Sequence, residues 1–599
     1  MFSHLSKKIA VGLSALVITA MSFFIVSCQK ELSGGGGLIV NETQPDLTTK
    51  TASAVSGFVT DETNSPVQGA AVQFGASNTT TDKYGYFEFS NVQVVKNAAV
   101  VTVVKPGYFK GIKTFIAETG HAGFFRIKLL PKTTQGNFDA AAGGTVTLTN
   151  GLTIAFPASA IKLAAGGDYT GQVTVAAQWL NPTSSDIIET MPGDLRGLDA
   201  DGFMRVLTSY GMSATELTGA GGELLQIKDG AKATVTFPLP TAMAASAPAT
   251  IPLWHFNETN GLWLEEGSAT KNGNTYVGEV SHFSYWNCDL PNATVPLTFD
   301  LVNEAGDPVG NVFVDVVPTT PNSWSHAGGY TDATGHVSIL VTPNTSYELR
   351  VYADCSVWGT PAFTQNFSVS TTAVNLGNVV VTSPGLATVS GTVECNSAPL
   401  SDAYVVMTQG WRNYRFPVNN DGTYNFSHTL CSGSTVVRFV AENLSTMQSG
   451  TPIEYTLAAG SNTVPALSAC VNSIEQFITY TINGTEYNVS YPTDSISHWV
   501  EPQATPPVSN ITGGNGNGAA TSIYFGFDQS SIAVGSSQPL TNFFTGQIND
   551  STSLSGTPLV NITEYGAPGE FIAGNFTCTI DGVATTYNVE CEFRVRRRQ

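Results

Sequence analysis

A phrase that recurs three times along this chain constrains its fold more than any other feature. VSGFVTDETNSPVQGAAVQF, from Val55, places a strand, a turn ending at Pro66, then Gly69-Ala70 and a second strand; TTTDKYGYFEF follows with a turn at Asp82 and Gly85. FDLVNEAGDPVGNVFVDV and GYTDATGHVSI repeat both halves around Pro308 and around Asp332 and Gly335. A worn third copy, VSGTVECNSAPLSDAYVVM and then VNNDGTYNF, runs around Pro399 and around Asp421 and Gly422. Gly and Asn tolerate positive φ in hairpin turns, and Pro sits where no ladder N–H is needed. The phrase therefore predicts one strand–turn–strand unit built three times.

The rest of the chain reads the same way. Val, Thr, Phe and Tyr alternate with polar residues in short runs between Gly, Pro, Asn and Asp turns, which predicts an all-β protein of tandem β-sandwiches. Residues 158–165 and 241–248 are each expected to make at most a helical turn. The length of 599 residues exceeds one hydrophobic core and predicts about four domains at roughly 150 residues each. Only 12% of residues are charged, and the formal net charge is −20. Phosphate backbones are held by clustered Lys and Arg, so a nucleic-acid partner is excluded.

The residues of the first copy, Gly57, Val59, Asp61, Pro66, Gly69, Ala70, Val72, Asp82, Gly85, Phe87 and the closing Lys105-Pro106-Gly107-Tyr108, resemble the carboxypeptidase regulatory-like domain. That resemblance implies a seven-stranded sandwich of transthyretin type over residues 53–130. Two further transthyretin-like sandwiches are expected at 293–384 and, degenerate, at 385–470. Between them, 131–292 opens GGTVTLTNGLTIAFPASAI, which is distantly similar to the sandwich shared by netrin receptors and ankyrins. It closes on Trp254, Trp263, Phe283, Tyr285 and Trp286, an aromatic set expected to anchor a core or a domain junction. The last unit, 471–599, resembles C-terminal β-domains of Bacteroidota lipoproteins.

Residues 1–27 read as a secretory signal, with Lys7 and Lys8 before the apolar run Ile9 to Val26. The ending Phe24-Ile25-Val26-Ser27-Cys28 resembles the bacterial lipobox, which implies lipidation at Cys28 and cleavage before it; Ile25 stands where that family usually has Leu. Removal of 1–27 takes two lysines and no acid, so the chain becomes more acidic still. Acyl chains on Cys28 imply stable membrane attachment. Gln29-Lys30-Glu31 is similar to a short Bacteroidota surface-export signal, and the tether, 28–52, contains the flexible Ser33-Gly34-Gly35-Gly36-Gly37. The expected location is the outer membrane, lipid-anchored and facing outward.

Chemistry is sparse. His255-Phe256-Asn257-Glu258 has the His-x-x-Glu spacing of metallocarboxypeptidase zinc ligands, but no third ligand stands in a matching context. No metal, cofactor or catalytic set is expected. Asp199-Ala200-Asp201-Gly202 begins like a calcium loop but lacks its terminal Glu, and reads as an Asp-capped turn. Trp324, Trp358, Trp411 and Tyr414 fall in apparent loops, where aromatics can stack on a sugar; a Trp folded over its own sandwich edge is the competing reading. In an oxidising compartment Cys578 and Cys591 are expected to bridge across a hairpin, and one pair among Cys395, Cys431 and Cys470 to close. Asp494-Ser495-Ile496 and Asp550-Ser551-Thr552 match the short O-glycosylation motif of Bacteroidota, implying sugars at Ser495 and Ser551. Arg594, Arg596, Arg597 and Arg598 form a basic patch, read as a solvated strand end or a phosphate or lipid contact.

The expectation is a non-enzymatic, lipid-anchored surface protein acting in binding, adhesion or scaffolding through stalk-like tandem sandwiches. Its partners would be the membrane and an extracellular glycan or protein. Two alternatives stay open: an accessory for glycan or peptide uptake beside an outer-membrane transporter, and a cryptic hydrolase using 131–292.

Overall fold

The computed structural model describes residues 44–599 except 321–326, 353–359, 383–384, 431–433, 444–447, 474–475, 492–493, 515–521, 549–552, 567–570, 584 and 598–599. Cys28 and the tether before residue 44 lie outside the described residues, as do Trp324, Trp358, Cys431, Ser551 and Arg598.

Strand alternation builds the first sandwich. In Ala71–Phe74, Val72 and Phe74 point inward while Ala71 and Gln73 face out, and Ala99, Val101 and Val103 do the same on Ala99–Val104. Lys50–Thr60 is the centre of a three-stranded sheet, antiparallel to Tyr86–Val95 and parallel to Ala122–Lys128. Ser77–Thr80, Ala71–Phe74, Ala99–Val104 and Gly111–Phe115 form the facing four-stranded sheet in that order. The same three-plus-four topology recurs around Val295–Val302, antiparallel to His336–Val341 and parallel to Val374–Val380. The worn copy keeps the central pattern, with Leu386–Cys395 antiparallel to Thr423–Thr429 and parallel to Gly460–Thr463, but its two sheets have five and six strands.

The recurring phrase makes the same contacts in every copy. The N–H groups of Val59, Leu301 and Val393 each donate to the carbonyl of the turn glycine, Gly85, Gly335 and Gly422, at 2.8 Å. All three glycines have positive φ. The residue that opens the turn is Asp82, Asp332 and, in the worn copy, Asn419 rather than Asp421: Gly422 N–H donates to the Asn419 carbonyl as Gly85 N–H does to Asp82.

Residues Thr134–Asn292 form one thirteen-stranded sheet curled over a core that includes Phe156, Val175, Phe237, Tyr276 and Trp286. The stretch expected to turn helically at 158–165 instead contributes the strand Ile161–Leu163, paired with Leu224–Ile227, because a partner edge satisfies its backbone better than an isolated turn. At 241–248 there is one 3-10 turn, Thr241–Met243. Phe477–Arg596 form a ten-stranded sheet. Among the described residues no helix is long and apolar enough to cross a membrane.

Cys395 and Cys470 are joined by a disulfide, with Cα atoms 5.4 Å apart. Cys578 and Cys591 are not: both are buried free thiols. Cys578 stands opposite Val589 and Cys591 opposite Phe576, so the two are diagonal neighbours, beyond the reach of a disulfide without backbone movement.

The sandwiches between 44 and 599 do not form a stalk; four units gather round the first. Phe109 and Ile112 enter a core with Trp254, Trp263 and Tyr285, so the aromatic set closes both its own sheet and this junction. Lys113 Nζ donates to the carbonyls of Ile188 and Met191 at 2.6 and 2.7 Å. His336 Nε2 of the second copy lies 3.2 Å from Glu118. Lys83 pairs with Glu442 of the third copy at 2.7 Å. Gly69 makes room for the Ser495 hydroxyl of the last unit, where a Cβ would overlap it.

Candidate functional site

Where these units meet, a cleft of about 710 Å³ opens between the first, fourth and last. It is lined by Lys83, Arg438, Arg594, Arg596 and Arg597 against Asp61, Glu442 and Glu564, with Trp499 and Phe571 alongside. Of the arginines predicted to be a solvated strand end, Arg594, Arg596 and Arg597 are thus inside a cleft, because Thr586–Arg596 ends against neighbouring units rather than in water. Alternation sends Arg594 and Arg596 to one face of that strand. Arg594 pairs with Glu564 through Nε at 2.7 Å and Nη2 at 3.2 Å, and its guanidinium lies 3.7 Å from the Phe571 ring centre. Arg597 donates to the Gly566 carbonyl and stacks on Tyr565. The Arg596 Nε is buried and has no hydrogen-bond partner among the described residues.

The cleft is electrostatically positive. Burial, and then the charge of Arg596, bring the Lys83 ammonium down to about 8. Burial pushes the Glu442 carboxyl up, but Lys83 and Arg596 outweigh it and hold the group below its ordinary range. Such a site accepts an anion on guanidinium forks, with aromatic faces beside it.

The other predicted residues fall out differently. Trp411 is 44% exposed with the Arg412 guanidinium 4.6 Å over its ring. Arg412 is in turn paired with Glu189 of the second unit at 3.3 Å. Tyr414, by contrast, is buried beneath Arg126, because its strand alternation turns it toward the core; it is not a surface contact. The Ser495 hydroxyl faces Gly69, where an attached sugar would meet the first sandwich. Asp199 caps a turn: its Oδ1 accepts the N–H groups of Asp201 and Phe203, and its Oδ2 pairs with Arg205.

Two histidine clusters were not legible as clusters in the sequence. At the junction of the first and third units, His121 and His336 stack at 3.8 Å. The Nδ1 of His121 is 3.1 Å from Asp332, the Nδ1 of His336 is 2.6 Å from Asp300, and Ser338 donates to Glu118 at 2.7 Å. In the second unit, His255 does not meet Glu258, which pairs with Lys110 at 2.7 Å. It meets Glu266 and His282 instead. Burial lowers the pKa of both histidines.

No protein-family model matches the chain. It is similar to human cartilage intermediate layer protein 2, 30% identical over 122 residues, which make 20% of this chain and 10% of that protein. The mouse protein of the same name is 28% identical over 186 residues, 29% of this chain and 16% of that protein. The chain thus spans a small part of the length of these relatives. Among solved structures, a streptococcal ancillary pilin is 12% identical with a TM-score of 0.14, covering 39% of this chain and 98% of its own. The major pilin subunit BcpA of Bacillus cereus is 13% identical with a TM-score of 0.12, covering 55% and 100%. TM-scores of this size carry no argument about what the present chain does; the all-β architecture rests on its own strands.

Proposed function

We propose that this chain is a lipid-anchored protein of the outer membrane, displayed at the cell surface, that acts by binding and carries its ligand in the arginine-lined cleft. The observation that supports the reading is the gathering of five cations in one cleft of a chain whose net charge is −20. Guanidinium groups fork onto carboxylate or sulfate, and Trp499 and Phe571 offer apolar faces, a combination suited to an acidic saccharide. Tight docking of the other units on the first sandwich keeps the cleft preorganised, which favours affinity by reducing the ordering cost.

Two measurements test the proposal. Protease shaving of intact cells should release peptides from 131–599; release only after lysis would remove the surface location. On a glycan array the purified chain should prefer uronic-acid or sulfated glycans to neutral ones, with binding falling about tenfold in Arg596→Gln, the loss of one charge-assisted contact. Equal binding to neutral glycans, or an unchanged Arg596→Gln, would remove the cleft.

A further inference from the structure

The second unit carries a set of donor atoms that its sequence disguises. His255 lies on Thr250–Asn257, opposite Leu264 of the antiparallel strand Leu262–Asn272. Glu266 is two residues beyond Leu264 and therefore shares a face with His255. Glu266 and Gly267 form a register shift between Glu265, opposite Trp254, and Ser268, opposite Pro252, and Gly267 at φ +82 lets the strand bend beside the carboxylate. His282 comes from the turn before Tyr285–Asn292, the strand that pairs with the other side of Thr250–Asn257. The Trp286 indole donates to the His282 carbonyl at 2.8 Å and fixes that turn.

The Nδ1 of His255 lies 3.2 Å from Glu266 Oε2, and the Nε2 of His282 lies 3.8 Å from the same oxygen. All three donor atoms lie within 4.8 Å of one another. Metal–donor bonds of about 2.0–2.2 Å in a tetrahedron put donors roughly 3.4 Å apart, so small side-chain movements suffice. The Nδ1 of His255 is buried and, despite its closeness to Glu266, has no hydrogen-bond partner among the described residues. The other oxygen of Glu266 accepts from Ser281 at 2.6 Å, which orients the carboxylate as an outer-shell partner does. The two imidazole rings stand at 85° to one another, so that their in-plane lone pairs can converge. At the His121–His336 cluster the planes are nearly parallel, 26° apart, and both Nδ1 atoms already face carboxylates; that cluster is a hydrogen-bonded latch between sandwiches.

We propose that His255, Glu266 and His282 bind one divalent transition ion of the zinc class, with a fourth position open to solvent beside the partly exposed Glu266 and His282. The proposal is independent of the arginine-lined cleft. Two imidazoles and one carboxylate suit zinc, cobalt or nickel better than calcium or magnesium.

The test uses the chelator-treated full chain and zinc chloride in a calorimetric titration, with cobalt chloride followed by visible absorbance as a second readout. One zinc per chain should bind, and His282→Ala, at a surface turn, should weaken it on the order of a hundredfold while leaving the melting temperature of the metal-free chain unchanged. Glu266→Gln should act in the same direction, and His336→Ala should leave binding intact. Absence of stoichiometric zinc binding, binding unaffected by His282→Ala, or binding abolished by His336→Ala would each overturn the assignment.

Discussion

At the scale of single residues, the ion pair of Lys83 and Glu442 ties the first unit to the fourth through two buried charges. Both side chains are almost fully buried, at 3% and 5% exposure, and Tyr84 also donates to Glu442 at 2.6 Å. A buried pair contributes little over an apolar replacement, but removing one partner strands the other, at a cost of about 3–5 kcal/mol. Glu442→Gln should therefore lower the unfolding free energy by roughly that amount at neutral pH, read by denaturant titration. The folded carboxyl titrates below its ordinary value of 4.5, so the unfolded chain takes up protons first as pH falls. The advantage of wild type over Glu442→Gln should be full above about pH 5 and shrink as pH drops below 4.5. An advantage that does not change with pH would show that Glu442 is not ionised in the fold.

Within elements, the repeated turn separates two costs that glycine avoids. Gly85 has φ +73, and a Cβ there would overlap the Val59 carbonyl oxygen; Gly107 has φ +85 with nothing among the described residues within 4 Å of an added Cβ. Gly107→Ala should cost only the left-handed backbone term, about 1–2 kcal/mol, and Gly85→Ala clearly more, since backbone must shift. Thermal melts of the two variants measure the difference. The disulfide of the fourth unit closes a separation of 75 residues. By loop entropy its reduction should remove about 4 kcal/mol, destabilising Leu386–Ser468 while leaving hydrogen exchange in the first sandwich unchanged. The turn and the alternation were readable because each depends on a few consecutive residues. The hairpin bridge expected between Cys578 and Cys591 was not, because its register places Val589 and Phe576 opposite them, and register is settled by which face is buried.

For the whole molecule, the decisive feature is that one sandwich touches all the others. Solution scattering should give a radius of gyration for residues 44–599 nearer about 25 Å, the value for a compact chain of this length, than that of a string of beads. An elongated particle would remove the central position of the first sandwich. Its packing also explains why Arg594, Arg596 and Arg597 line a cleft although their sequence reads as a strand end. Nothing near residues 594–597 announces that Lys83 and Arg438 will stand beside them.

The sequence alone determined the strands, the positive-φ turns, the inward-facing apolar residues and the threefold recurrence of one strand–turn–strand phrase. All of these follow from a side-chain period of two and from the φ values that Gly, Asn and Pro permit locally. Only the tertiary structure decided which surfaces meet. His-x-x-Glu spacing pointed from His255 to Glu258, whereas the pleat and the bulge turn His255 toward Glu266, and a turn sixteen residues further on supplies His282. Lys83 finds Glu442 across 359 residues, and the docking faces that unite them depend on shape and buried charge, which no local pattern encodes.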